Sequence, residues 1–149
     1  MGRVVITSAA RTACGAFLGG LKTIPVDDLA AIAIKEAVKR SNLEGKDVES
    51  IILGHVISST DSTNMARSAA LLAGCENATG LTVNRICGSG LQALISAYQE
   101  IVTGEAEIVV AGGSESLSRA PYYLPLNVRY EGFRNLSQKL KCSNEMSHY

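Results

Sequence analysis

Two hydrophobic rhythms alternate along this chain. Short, nearly continuous apolar runs recur: Val4-Val5-Ile6 within Arg3 to Ser8, Ile51-Ile52-Leu53 within Ser50 to Ser58, Leu81 to Ile86, and Glu107 to Gly112. Runs of this length predict buried strands. Between them the apolar residues recur every three or four positions. Val26 to Ser41 sets Val26, Leu29, Ala30, Ala33, Ile34, Ala37 and Val38 on one stripe. Ser89 to Thr103 does the same with Leu91, Leu94, Ile95, Tyr98, Ile101 and Val102. Met65 to Ala73 is a shorter helix of the same kind. The order β-α-β-α-β-α-β predicts an α/β fold: a mainly parallel sheet with helices on both faces.

Local chemistry agrees with these boundaries. Pro25 opens the first helix, Asp27 and Asp28 occupy its first turn, and Lys39 and Arg40 its last, each complementing the helix dipole. Asp61-Ser62-Thr63-Asn64 supplies cap chemistry for the second helix, and Gly74 and Gly104 are helix stops. From Pro121 the pattern changes. Tyr122, Tyr123 and Tyr130 alternate with Leu124, Leu126 and Val128, as in an extended arm or hairpin, and Gly132 to Tyr149 is polar and weakly patterned. Residues 1–120 therefore read as one α/β domain lacking its last strand. Residues 121–149 read as the start of a loop domain or an irregular tail.

Composition narrows the function classes. Of 149 residues, 46% are hydrophobic and 19% charged, which suits a globular domain with a packed core. Lys+Arg and Asp+Glu balance at 14 each, which argues against a nucleic acid or an anionic membrane as partner. With no Trp and 5% aromatics, base stacking is not expected either. No apolar run approaches the roughly 20 residues of a membrane span. The N-terminus enters a strand pattern directly, without a leader, so the expected location is cytoplasmic. Cys14, Cys75, Cys87 and Cys142 form no CxxC pair, so neither a zinc site nor a disulfide framework is expected. The Gly-rich loop Arg11 to Gly20 lacks a P-loop ending, and Cys14 within it reads as inert.

Chemistry concentrates in Thr82-Val83-Asn84-Arg85-Ile86-Cys87-Gly88-Ser89-Gly90. A strand running into a helix there places Cys87 at the helix N-terminus, where unpaired N–H groups and the dipole favour a thiolate nucleophile. Gly88 and Gly90 leave the approach to the thiol clear. Spacing alone supports a buried structural cysteine equally well. His55, beside Gly54 at a strand end, has no partner at a fixed spacing and reads as structural. Gly88-Ser89-Gly90-Leu91-Gln92-Ala93 also satisfies G-x-G-x-x-A, the core of a dinucleotide fingerprint. The acidic residue that fingerprint needs is misplaced: Glu105 and Glu107 come too early and Glu115 too late.

Asn84-Arg85-Ile86-Cys87-Gly88-Ser89-Gly90-Leu91-Gln92-Ala93 resembles the active-cysteine motif of the thiolases, the acetyl-CoA acetyltransferases in particular. Ala9-Ala10-Arg11-Thr12, Asn64 to Gly74 and Ala111 to Tyr122 are similar to further segments of that family, in the same order. The third of these carries Gly112-Gly113-Ser114-Glu115-Ser116-Leu117-Ser118. The resemblance implies Cys87 as the acyl-accepting nucleophile, coenzyme A thioesters as substrates, no covalently bound cofactor, no metal, and a homo-oligomer. It implies a Claisen condensation of two acetyl-CoA to acetoacetyl-CoA, or the reverse thiolytic cleavage. The family's Gly-His-Pro and Cys-x-Gly-Gly motifs do not occur here. His55 and His148 do not match the family histidine, and Cys14, Cys75 and Cys142 do not match its second cysteine. The resemblance therefore covers the N-terminal part of a thiolase, and two readings follow: a nucleophile-bearing part that turns over little by itself, or a non-catalytic remnant. A ketoacyl synthase is less similar around Cys87.

Overall fold

The computed structural model describes residues 3–58, 62–124 and 141–142. Helix α1 (Val26–Arg40) leads into a 3-10 turn (Gly45–Asp47) and strand β1 (Ser50–Gly54). Helix α2 (Met65–Ala73), strand β2 (Thr79–Val83), helix α3 (Ser89–Thr103) and strand β3 (Val109–Gly113) follow. A 3-10 turn (Leu117–Arg119) closes the series. Then β4 (Tyr122–Tyr123) pairs antiparallel with β5 (Lys141–Cys142). Residues 125–140, where most of the expected arm or hairpin falls, Asp61 of the cap segment, and His148 lie outside the described residues.

β1 is the central strand of a three-stranded parallel sheet, ordered β2-β1-β3. All five of its residues are buried, as a strand covered on both faces must be. The two-residue period then divides the core. Ile51 and Leu53 pack with Val26, Ala30, Ile34 and Val38 of α1 and with Met65, Ala66, Ala69 and Ala70 of α2. Ile52 points to the opposite face and packs with Ala93 and Ala97 of α3. Helices therefore cover both faces of the sheet. The alanines on α2 and α3 allow the helices to approach the strands closely. The helix ends follow the sequence reading: Asn64 caps α2 by accepting from the Arg67 N–H at 3.2 Å, and Gly74 and Gly104 stand at φ +83° and +78°.

One expected strand is corrected. Arg3 to Ser8 pairs with no strand among the described residues, and Val5 and Ile6 are exposed at 64% and 84%. The segment is held against α1 instead. The Ser8 hydroxyl donates to the Ala37 carbonyl at 2.7 Å, and Arg40 Nη1 donates to the Ala9 carbonyl at 2.9 Å. A strand needs a neighbour for its backbone ladder, and none of the described residues supplies one. Among the described residues the main α/β series is therefore α-β-α-β-α-β, with three strands in its sheet rather than four.

Because the strands are parallel, Gly54, Val83 and Gly113 end at the same edge of the sheet. The segments that leave them, His55–Ser58, Asn84–Gly88 and Ser114–Ala120, meet at that carboxyl edge, where open α/β sheets place their ligand sites.

Candidate active site

β2 ends at Val83, four residues before Cys87, so the strand does not run directly into the helix. Asn84 to Gly88 form a turn, and Cys87 stands just before Gly88, the N-cap of α3. The turn is tight because most of its backbone donors and acceptors are satisfied locally. The Gly88 N–H donates to the Arg85 carbonyl at 3.0 Å, and the Ser89 N–H to the Ile86 carbonyl at 3.1 Å. The buried Ser89 hydroxyl donates to the Ile86 carbonyl at 2.6 Å and accepts from the Arg85 N–H at 2.9 Å. Asn84 Oδ1 accepts from the Ile86 N–H at 3.0 Å.

These bonds hold Ile86 at φ +51°, a left-handed conformation that a β-branched residue adopts only when its surroundings force it. Strain of this kind beside an exposed thiol is a mark of functional sites. Cys87 is exposed and free; Cys75 is buried, and burial raises its thiol pKa. Cys14 is also exposed, 3.9 Å from Arg11 Nη1.

The helix start is set by a close approach. A Cβ on Gly54 would lie 2.5 Å from the Ser89 carbonyl carbon and 2.6 Å from the Gly90 nitrogen, so the first turn of α3 rests directly on the end of β1. Only glycine at position 54 lets the Cys87 turn sit this low over the sheet.

The third segment brings His55 and Glu115 together, 60 positions apart in sequence. His55 is 4% exposed, and its Nδ1 lies 3.1 Å from Glu115 Oε1 and 3.1 Å from the Ser114 carbonyl. The Glu115 bond raises the His55 pKa, and burial opposes it. Burial pushes Glu115 up, but its bonds to His55 and to the Val56 and Ile57 N–H groups outweigh that and leave it lowered. Glu115 Oε2 accepts from Val56 at 2.7 Å and from Ile57 at 3.3 Å. His55 Nε2 is buried without a hydrogen-bond partner among the described residues. A cavity of about 20 Å³ beside it, lined also by Pro25, Asp27, Ser62 and Arg119, has room for one water and none for a coenzyme A thioester. Cys87 does not line it. No group of three His, Cys, Asp or Glu gathers among the described residues to hold a metal.

Sequence reading found Cys87 but assigned no task to Asn84, Ser89 or Glu115. For Asn84 and Ser89 the signal lay in the spacing, an acceptor three before the cysteine and a hydroxyl two after it. The partner of His55 could not be read from spacing, because only the pairing of β1 with β3 creates it.

The profile of the thiolase N-terminal domain matches residues 4–148. The chain belongs to the thiolase family. An acetyl-CoA acetyltransferase of Cupriavidus necator is 45% identical over 138 residues, covering 92% of this chain and 35% of that enzyme. One from Schizosaccharomyces pombe is 47% identical over 125 residues, covering 83% of this chain and 32% of its own length. The crystal structure of the Bacillus anthracis acetyl-CoA acetyltransferase superposes with a TM-score of 0.79 at 48% identity. That match covers 81% of this chain and 31% of the other. The chain thus spans about a third of the length of these relatives. Among the described residues, no helix of this thiolase chain is long and apolar enough to cross a membrane.

Proposed function

We propose that Cys87 is the acyl-accepting nucleophile of an acetyl-CoA acetyltransferase, of which this chain carries the N-terminal third. In the reaction the Cys87 sulfur attacks the carbonyl carbon of acetyl-CoA. The tetrahedral intermediate expels the CoA thiolate, leaving an S-acetyl enzyme. Exchange of one thioester for another is nearly isoenergetic, so the acetyl group stays activated. A second acetyl-CoA, deprotonated at its methyl carbon, then attacks it. Collapse of that intermediate breaks the bond to the Cys87 sulfur, which leaves as thiolate, and gives acetoacetyl-CoA. Run backwards, CoA cleaves acetoacetyl-CoA.

The observation that carries this reading is the strained turn. An exposed thiol is presented beside the first turn of a helix, at the carboxyl edge of a parallel sheet, by a β-branched residue held at positive φ. The Ile86 carbonyl and the Cys87 N–H belong to one planar peptide. Two donors from Ser89 pin that carbonyl, and so aim the Cys87 N–H to the opposite side, as half of an oxyanion hole requires. Among the described residues the one histidine, His55, is bound to Glu115 rather than set against Cys87 as a base, so the 149-residue chain alone turns over little. Residues 1–120 are assigned to the α/β unit of this enzyme, and 121–149 to the start of its loop domain or an irregular tail. The complete enzyme is a cytoplasmic homo-oligomer acting on acyl-CoA, with no covalently bound cofactor.

A chimera tests the assignment. The matching N-terminal third of the Cupriavidus necator enzyme is replaced by this chain, and thiolysis of acetoacetyl-CoA is assayed. The expected result is turnover that Cys87→Ala abolishes. A folded chimera whose turnover survives Cys87→Ala would overturn the proposal.

A further inference from the structure

The Cys87 turn is connected to a pair of charged residues that the acyl-transfer reaction does not itself use. Beyond β1 the sheet ladder ends, the last bond being from the His55 N–H to the Val83 carbonyl at 3.1 Å. The next two N–H groups, Val56 and Ile57, would be orphaned at the sheet edge. Glu115 Oε2 accepts from both, and His55 holds the other oxygen of that carboxylate.

The Ile57 N–H and the Val56 carbonyl are the two ends of one planar peptide. Glu115 grips the N–H end. On the opposite end, the Val56 carbonyl accepts from Asn84 Nδ2 at 3.1 Å. The Asn84 carboxamide is planar too, and its oxygen accepts from the Ile86 N–H. Two rigid amide planes, joined by hydrogen bonds running in one direction, thus connect the Glu115 carboxylate to the residue before Cys87. Bonds aligned in this way polarise one another.

We infer that Glu115, acting through the Val56–Ile57 peptide and Asn84, is a positioning residue for the Cys87 turn. His55 keeps the carboxylate charged and fixed in a site that would otherwise disfavour its charge. This rests on the reading of Cys87 as nucleophile, and adds to it a second group, distant in sequence, that sets where the thiol stands. Removing the carboxylate frees the Val56–Ile57 peptide to rotate, Asn84 loses its fixed acceptor, and the strained Ile86 relaxes. The turn presents the exposed Cys87 thiol just before the first turn of α3, so its relaxation changes that presentation and slows alkylation.

The test is alkylation of the 149-residue chain by iodoacetamide, read by peptide mass as the rate at Cys87 relative to exposed Cys14. Glu115→Ala removes the acceptor, and Glu115→Gln keeps an oxygen in its place. Asn84→Asp keeps the oxygen that holds Ile86 and removes the donor to Val56. Glu115→Ala and Asn84→Asp are each expected to lower the ratio about three- to tenfold. Glu115→Gln retains most of it. Adding Glu115→Ala to Asn84→Asp lowers it no further, because the connection is already cut. Effects of the two changes that multiply would overturn the inference, as would an unchanged ratio in either. If Glu115→Ala does not fold, Asn84→Asp against Glu115→Gln decides alone: an unchanged ratio in the former, or a full loss in the latter, overturns it. Equal rates at Cys87 and Cys14 in the unmodified chain would instead contradict the nucleophile reading itself.

Discussion

The Ile86 N–H donates to the Asn84 side-chain oxygen at 3.0 Å, and in that grip Ile86 stands at φ +51° with 62% of its surface exposed. A β-branched residue in this region costs about 1–2 kcal/mol, and an exposed one recovers little by burial. Asn tolerates the left-handed conformation. Ile86→Asn should therefore stabilise the chain by about 1 kcal/mol, read as a higher urea midpoint. A lower midpoint would mean that Ile86 is not strained.

Two glycines three dozen positions apart should respond to the same change with opposite signs. At Gly54 a Cβ meets the backbone of Ser89 and Gly90, and neither can yield without moving the start of α3. Gly54→Ala should cost about 1–3 kcal/mol and displace the Cys87 turn. At Gly90, inside α3, a Cβ meets nothing within 4 Å, so Gly90→Ala should gain about 0.5–1 kcal/mol. Thermal unfolding of both variants checks this, and matching signs would refute it.

The His55–Glu115 pair predicts a pH dependence. His55 has a raised folded pKa, so its stabilisation is fully present below its ordinary 6.5 and is lost as pH rises through the raised value. Glu115 has a lowered one, so its contribution is present above its ordinary 4.5 and is lost as pH falls through the lowered value. The pair therefore contributes most between those two ordinary values. The stability gap between the unmodified chain and His55→Gln should peak in that window and narrow toward alkaline pH. A gap constant from pH 5 to pH 9, on the order of those limits, would show that the ion pair does not form.

Much of the fold was legible because β1, α1 and α2 satisfy local and global preferences together; α3 is the exception, since it packs on the sheet through Ala93 and Ala97 while the larger apolar stripe read from its sequence is exposed. Ile51-Ile52-Leu53 is apolar without a break because both its faces are covered, and α1 begins and ends where its proline and charges place it. Arg3 to Ser8 misled for the converse reason. Val4-Val5-Ile6 has the composition of a buried strand, but strand formation also needs a partner edge, which the composition of the segment cannot reveal. At the site, Cys87 was legible from its glycines and from the helix that follows. Glu115 was not, because its task arises only where the ends of β1 and β3 meet.

An apolar face is left on α3. Leu91, Leu94, Ile95, Tyr98 and Val102 are all exposed on it, Leu91 and Tyr98 by more than half. Contiguous apolar surface of this kind drives association. The isolated chain should sediment as concentration-dependent oligomers, and Leu91→Glu with Tyr98→Lys should shift it toward monomer. A clean monomer over a wide concentration range before any substitution would contradict this.

The central claim is that the Asn84–Ser89 turn makes Cys87, rather than the likewise exposed Cys14, the acyl acceptor. The direct measurement is peptide-mapped mass spectrometry of the chain after incubation with acetyl-CoA, beside Cys87→Ala. The account predicts one acetyl group, on Cys87, and none in the variant. Acetylation that favours Cys14, or that persists in Cys87→Ala at the same level, would contradict it.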